Sequence, residues 1–189
     1  MLAKPFNEYQ VKRGFEVFRR VCAKCHSLAL FKPSDLKQLG YTNFQALVIT
    51  GKRNLNEYYQ QPLEGRLKSA KLSNPPDLSL IAKQVSPSFV YRLLTGYNRN
   101  ALPRKSYFNK AAELGFTLMP PPLSNGVIKH SFKVPSTVCQ TAKDVGAFLL
   151  WVSEPWRTER LRLFFPIFAS LATLLIPLLW ARKVELPIC

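Results

Sequence analysis

A mainly α-helical domain followed by a single C-terminal transmembrane helix is the fold class the sequence predicts, and three observations predict it. Apolar residues recur at helical spacing in "QVKRGFEVFRRVCAKCHSL" near the start and in "TAKDVGAFLLWVSEP" near the end. No stretch between them alternates convincingly enough for a strand. Residues 163–181, "LFFPIFASLATLLIPLLWA", carry no charge across 19 positions. At ~1.5 Å per residue such a helix approaches the ~30 Å hydrocarbon thickness of a bilayer. The expected division is a domain outside the membrane over 1–155, an anchor over 156–183 and a short tail over 184–189.

The first helix is read from Val11, Phe15, Phe18, Cys22 and Cys25, whose spacings of four, three, four and three make one continuous face. That helix is expected to deliver both cysteines on its buried side. Residues 31–50 read as a turn and a short helix, "NFQALVIT", ended by Gly51. The run from 52 to 73 has few large aliphatic residues and reads as a surface connection. After Pro75 and Pro76, "DLSLIAKQV" and "SPSFVYRLLTGY" read as helices, with Asp77 and Ser86 as N-caps and Gly96 as a stop. Residues 98–135 read as a loop. The last helix of the domain sets Ala142, Val145, Phe148, Leu149 and Val152 on one face and is expected to continue through Arg157 and Arg160 into the anchor. Arg160, Arg162, Arg182, Lys183 and Trp180 suit the two membrane interfaces. Pro166 and Pro177 weaken the anchor at its ends, although Pro166 falls in a first turn, where proline is tolerated.

The chain has 189 residues, 47% of them hydrophobic, enough for one core. Prolines outnumber glycines, 15 to 8, which indicates much rigidly turned, irregular chain. A net charge of +16 points to nucleic acid, anionic lipid or acidic protein as partner. Four cysteines at uneven spacing make no disulfide framework. The polar start "MLAKPFNEYQ" lacks the apolar core of a secretory signal. No acid, base and nucleophile constellation marks a hydrolase or transferase.

The chemistry is concentrated in "CAKCH". Cys22 and Cys25 with His26 can be a covalent haem anchor, half of a zinc site or a redox pair. A haem needs two thiols for its vinyl groups, an imidazole on the iron from the same side, and a second axial ligand from elsewhere. Met119, in the proline-bound loop "GFTLMPPPL", can supply that ligand, with His130 as the alternative. Zinc would need two more ligands from Cys139, His130 and Cys189, which are scattered. A thioredoxin-like pair would need a βαβ context, and none is present. Haem fits best, because motif, helix phase and a distal sulfur agree. Cys139 and Cys189 then read as a helix-start packing residue and a free terminal thiol.

Several stretches in one order carry a more specific resemblance. "RGFEVFRRVCAKCHSL", "PPDLSLIA", "LLTGY" at 93–97, "YFN" at 107–109, "MPPPL" and "AKDVGAFLLWVSEP" before a lone anchor together resemble the cytochrome c1 family. Members of that family are the haem subunit of quinol–cytochrome c oxidoreductase, the cytochrome bc1 complex or respiratory complex III. The resemblance spans nearly the whole chain. It implies a c-type cytochrome haem domain holding one covalent haem c. Cys22 and Cys25 would form the thioether links, His26 would be the proximal ligand and Met119 the distal one. Pro76 would lie against the haem, and Lys83 would stand near a propionate where the family has an arginine; a lysine offers a point charge instead of a fork.

The implied function is one-electron transfer from the Rieske iron–sulfur protein to soluble cytochrome c, with no catalytic residue of the chain's own. The implied partners are cytochrome b and the Rieske subunit in a dimeric complex, with no nucleic acid. The implied place is the mitochondrial inner membrane, single-pass, with the haem domain facing the intermembrane space; an energy-transducing bacterial membrane is the alternative. Two departures stand out. The acidic insertions of many members are missing, so the basic surface is expected to meet an acidic accessory subunit, anionic lipid or an acidic cytochrome c. No presequence is visible, so an uncleaved import route is expected. The rival functions are another membrane-anchored c-type cytochrome and a basic, zinc-stabilised adaptor.

Overall fold

The computed structural model describes residues 7–59, 75–98, 106–128, 134–155 and 157–184, with the backbone alone at 157–162, 165, 181, 183 and 184. His130, Cys189 and most of the basic run at 52–73 lie outside the described residues.

Helix α1, Glu8–Arg20, opens at Asn7, whose side chain accepts from the N–H groups of Tyr9 and Gln10 at 3.0 and 3.3 Å. Its apolar stripe of Val11, Phe15 and Phe18 is fully buried, as its spacing predicts. The stripe packs on α5, Val138–Ser153, the most extensive helix contact in the fold. Ala142, Val145, Phe148 and Leu149 of α5 are buried and Val152 is half-buried, which matches the expected face. Phe148 is the hub. Its ring lies 5.4 Å from Phe15, 5.7 Å from Phe18, 5.8 Å from Phe31 and 6.1 Å from Trp151.

Gly14 makes this crossing close. A Cβ there would stand 2.0 Å from the Asp144 carbonyl oxygen, so no larger residue fits without parting the helices. Beside it, Arg13 forks onto the buried Asp144 carboxylate, Nε to Oδ2 at 2.8 Å and Nη2 to Oδ1 at 3.0 Å. Gln140 Nε2 adds a third donor at 2.9 Å. A buried carboxylate with three hydrogen bonds has its desolvation cost largely offset.

Between the two long helices the chain runs through a 3-10 turn at Pro33–Leu39 and helix α2, Asn43–Thr50. Thr42 and Gln45 form a reciprocal capping box at the start of α2, and Gly51 ends it in the left-handed region, as expected. Tyr59 emerges from the polar run to pack its ring 5.6 Å from Phe18, an inward role its surroundings in sequence do not predict. Helix α4, Pro87–Thr95, is capped by Ser86 as expected and packs on α5.

Four expectations need correction. First, α1 does not carry the cysteines; it ends at Arg20, and a separate 3-10 turn spans Cys22–Lys24. Second, Asp77 caps no helix of the expected length. The helix there, α3, is only Ile81–Gln84, and Asp77 is drawn away to other donors. Third, the loop over 98–135 contains a hairpin, β1 Tyr107–Phe108 antiparallel to β2 Phe116–Thr117, with Phe108 paired to Phe116. Fourth, α5 does not continue into the anchor. It stops at Ser153, because Pro155 cannot extend the helix and disfavours helical backbone at Glu154.

The segment from Pro155 onward forms a unit apart from the unit Phe6–Glu154. It contains helix α6, Arg157–Val184, 28 residues long with Pro166 and Pro177 inside it. Leu163, Phe164, Ile167, Phe168, Leu171, Leu174, Leu178 and Trp180 of α6 are all exposed. Among the described residues no helix is both long and apolar enough to cross a membrane, so the expected span rests on the sequence of this stretch.

Candidate functional site

The turn after α1 places the three residues of the motif. Val21 closes α1 by donating its N–H to the Val17 carbonyl at 2.9 Å. The next carbonyl to be shared is that of Cys22, which accepts from both Cys25 N–H at 3.0 Å and His26 N–H at 2.9 Å. This bifurcated closure folds His26 back over the first cysteine within five residues. Ala23 points into the core, Cys22 is half-buried and Cys25 is exposed. A continuing α-helix would have buried both sulfurs; the tighter turn sends Cys25 outward. Cys22, Cys25 and Cys139 form no disulfide. Desolvation of its sulfur, and then the neighbouring Cys25, push the Cys22 thiol up to about 12.

The imidazole is fixed by a segment 50 residues away in sequence. His26 Nδ1 lies 2.8 Å from the Pro76 carbonyl oxygen. A carbonyl only accepts, so Nδ1 carries the proton and the Nε2 lone pair is left to face outward from that bond. Burial lowers the His26 pKa against the opposing pull of Pro76 and Asp77, which keeps the ring neutral and able to ligate.

The Pro76 segment is itself zipped to the turn. Asp77 accepts from Ser27 Oγ at 2.6 Å, Ala29 N–H at 2.7 Å and Ser79 N–H at 2.8 Å. Leu78 N–H donates to the Ser27 carbonyl at 3.0 Å, and Leu30 N–H to Ser79 Oγ at 3.0 Å. Burial alone would raise the Asp77 pKa, but the bonds from Ser27, Ser79 and Ala29 outweigh it and hold the carboxyl below its ordinary value.

Met119 sits past the hairpin, half-buried, with its peptide held on both sides. Its N–H donates to Thr117 Oγ1 at 3.2 Å, and its carbonyl accepts from the Tyr97 hydroxyl at 3.0 Å. Burial pushes the Tyr97 phenol up to about 12, so it remains a donor. Nearby Phe116 and Leu118 leave large apolar side chains exposed.

The structure therefore brings Cys22, Cys25, His26 and Pro76 into one constellation and holds Met119 on a separate, braced segment. Lys83 is exposed on α3, and among the described residues no hydrogen bond or ion pair joins its ammonium to that constellation. Cys139 is exposed near the start of α5 rather than packed as expected. Among the described residues no three His, Cys, Asp or Glu side chains gather as a metal site. Tyr97, Thr117, Ser27 and Ser79 are contributors that no spacing in the sequence marks. The donor set fits a covalently held haem: two thiols outside any disulfide on one turn, a neutral imidazole with its second nitrogen left over, and a thioether on a braced loop flanked by open apolar surface.

Comparisons with known proteins point to one family. Residues 1–186 match the model of the cytochrome C1 family. The chain is 30% identical to "Cytochrome c1 1, heme protein, mitochondrial" of Arabidopsis thaliana, over 95% of this chain and 67% of that protein. It is 31% identical to "Cytochrome c1, heme protein, mitochondrial" of Saccharomyces cerevisiae, again over 95% and 67%. A Candida albicans relative, 30% identical over 95% of this chain and 72% of its own, is named "Cytochrome b-c1 complex catalytic subunit, mitochondrial". With a family match over residues 1–186 and relatives at 30–31% identity over 95% of its length, the chain belongs to the cytochrome c1 family.

Proposed function

We propose that the chain is the haem c-carrying, electron-transfer subunit of the mitochondrial cytochrome bc1 complex. The observation that carries this reading is the His26–Pro76 bond at 2.8 Å, which leaves one imidazole nitrogen over on the turn that also carries Cys22 and Cys25, neither of them in a disulfide. Cys22 and Cys25 would hold the haem by thioether links, and His26 and Met119 would ligate its iron. When bound, the group supplies one-electron oxidation and reduction at iron, between a Rieske iron–sulfur donor and soluble cytochrome c.

The chain's own residues bind, orient and exclude water. Pro76 fixes the tautomer and rotation of His26, and Asp77 keeps the Pro76 segment in place. A methionine ligand and apolar surroundings both favour a higher potential than two imidazoles would give. Residues 1–155 form the haem domain and 156–183 the single membrane anchor. The sequence of 163–181 and the exposure of apolar side chains along α6 support the anchor. It would hold the domain at the inner membrane, facing the intermembrane space, beside cytochrome b and the Rieske subunit in a dimeric complex. Lys83 is the propionate partner that the family's pattern offers.

An alkaline pyridine haemochrome spectrum after denaturing extraction tests the reading. Haem that stays with the chain and shows a c-type band is expected; a colourless chain would overturn it. The basic surface adds a kinetic test. Electron transfer to the physiological acceptor should slow as salt rises, and acceleration would exclude attraction by that surface.

A further inference from the structure

We propose that Tyr97 is a positioning residue for Met119, and that a short polar relay from the end of α4 through Asn109 and Tyr97 sets where the thioether points. The inference rests on Met119 being the distal ligand.

The relay starts at a helix end. The Leu93 carbonyl, in the last turn of α4, belongs to the group that a helix leaves without intrahelical donors. Asn109 Nδ2 donates to it at 2.7 Å. Asn109 is fully buried, and its Oδ1 accepts from Ala111 N–H at 2.9 Å. The same side chain faces the Tyr97 hydroxyl and partly offsets the rise that burial gives the phenol, and that hydroxyl donates to the Met119 carbonyl at 3.0 Å. Each bond in such a chain polarises the next.

The backbone is built to allow it. Asn109 lies directly beyond strand β1, and its N–H donates to Gly115 C=O at 2.9 Å across the hairpin. Lys110 N–H reaches Gly96 C=O at 3.0 Å. A Cβ on Gly96 would stand 2.8 Å from Asn109 Oδ1 and 2.7 Å from Arg92 C=O, so glycine at 96 permits the approach. Tyr97 and Asn109 then pair as an isolated antiparallel bridge. The result ties α4, the hairpin and the Met119 peptide together. Thr117 Oγ1 holds the Met119 N–H and Tyr97 holds its carbonyl, so both sides of one residue are clamped. Clamping the main chain restricts the directions open to a flexible thioether, which otherwise has three rotatable bonds.

The test uses the full-length holoprotein in detergent, as wild type, Tyr97→Phe, Thr117→Val and, as a control of similar structural cost, Ser86→Ala at the start of α4. Two quantities are read well below the unfolding temperature: the methionine–iron charge-transfer band of the oxidised protein, and the affinity for added imidazole, which binds only where Met119 has moved away. Imidazole affinity scales with the fraction of molecules in the open state. Losing one net hydrogen bond is expected to raise it about five-fold in Tyr97→Phe and to weaken the band, with Thr117→Val moving the same way. Ser86→Ala should leave both unchanged. Wild-type behaviour in Tyr97→Phe would overturn the proposal, and so would an equal shift in Ser86→Ala. A wild type with no such band would instead remove Met119 from the iron, and the proposal with it. Should Tyr97→Phe not accumulate, 3-fluorotyrosine at position 97 keeps the ring and strengthens the donor. In mildly acidic buffer it should lower imidazole affinity, and a rise or no change would count against the relay.

Discussion

The α1–α5 crossing and the segment that carries Met119 lie in one domain but are held by different physics. At the crossing, Phe15, Phe18, Phe31 and Phe148 are almost wholly buried, and Gly14 lets the backbones meet. Beside Met119 the side chains of Phe116 and Leu118 are exposed, and single hydrogen bonds with Tyr97 and Thr117 hold the peptide. Dispersion and the hydrophobic effect are non-directional and add over many contacts, so the crossing sets stability. Hydrogen bonds are directional and each nets little, so the Met119 segment sets geometry. Changes at the first should unfold the chain without altering the site beforehand. Changes at the second should alter the site in a chain that stays folded.

The largest effects test the first half of that contrast. Phe148→Ala removes the hub of the aromatic cluster and should cost about 3–5 kcal/mol. The thermal midpoint should fall sharply, while the methionine–iron band stays intact up to the new transition. Early loss of the band in this variant would break the contrast. Asp144→Ala should cost about 3–5 kcal/mol, because the Arg13 guanidinium, only 12% exposed, would lose its partner. Urea unfolding measures it, and Asp144→Asn, which retains an acceptor, should cost less.

Asp77 lies between the two regimes. It belongs to the site, yet it closes three donors from two segments about 50 residues apart. Asp77→Ala should cost about 2 kcal/mol by leaving Ala29 N–H and Ser79 N–H without their acceptor. It should also loosen the Pro76 carbonyl and so disturb His26. A near-zero stability change with an altered haem spectrum would place Asp77 wholly on the site side.

The same division explains what could be read from the sequence. Burial repeats with the helix turn, so the faces of α1 and α5 are legible in Val11, Phe15, Phe18, Ala142, Val145 and Phe148. The motif residues stand out as a candidate site because three chemically distinctive side chains fall within one turn, and Met119 as a candidate ligand because the chain has only two methionines. The 3-10 closure at Cys22–Lys24 is not, since a carbonyl shared by two N–H groups leaves no mark on side-chain spacing. Tyr97 and Asn109 stand in the quoted stretches "LLTGY" and "YFN", but their bonding roles, like that of Thr117, escape notice for a related reason. They bond to main-chain atoms, with Tyr97 and Met119 22 positions apart and Asn109 and Leu93 16 apart. Two-residue strands are too short to show alternation, so the hairpin is hidden as well. Asp77 is recognisable as a capping type, but which N–H groups it serves depends on a neighbour distant in sequence.

Smaller effects sharpen the contrast at places remote from both regions. Ser86 caps α4 through a 3.3 Å bond to Phe89 N–H but holds φ at 65°, a region that favours glycine. Replacing a serine cap by glycine costs only a few tenths of a kcal/mol, whereas relief of such strain is worth about 1–3 kcal/mol. Ser86→Gly should therefore raise stability by about 1 kcal/mol, seen as a higher urea midpoint. Ser86→Ala keeps the strain and loses the cap, so the two variants should move in opposite directions.

The smallest effect is expected at Glu57. Lys52 Nζ lies 2.6 Å from its Oε1 and, as the leading cause, holds the Glu57 pKa below its ordinary value. A carboxyl depressed in the folded state contributes stability above its unfolded pKa and loses it as pH falls through the folded one. Glu57→Gln should accordingly lower the urea midpoint slightly near neutral pH, and the difference from wild type should vanish in acid below the Glu57 titration. Lys52→Met should move the Glu57 carboxyl, followed by carbon-detected NMR, back up toward its ordinary value. The pair lies on the surface, where water and salt screen it, so raising the ionic strength should shrink both differences. A large, salt-insensitive loss would mean that this pair supports the Tyr59 ring, which Lys52 Nζ overlies at 5.9 Å, and through it the aromatic core. That outcome would extend the stability-setting region out to the surface and redraw the line between the two parts of the domain.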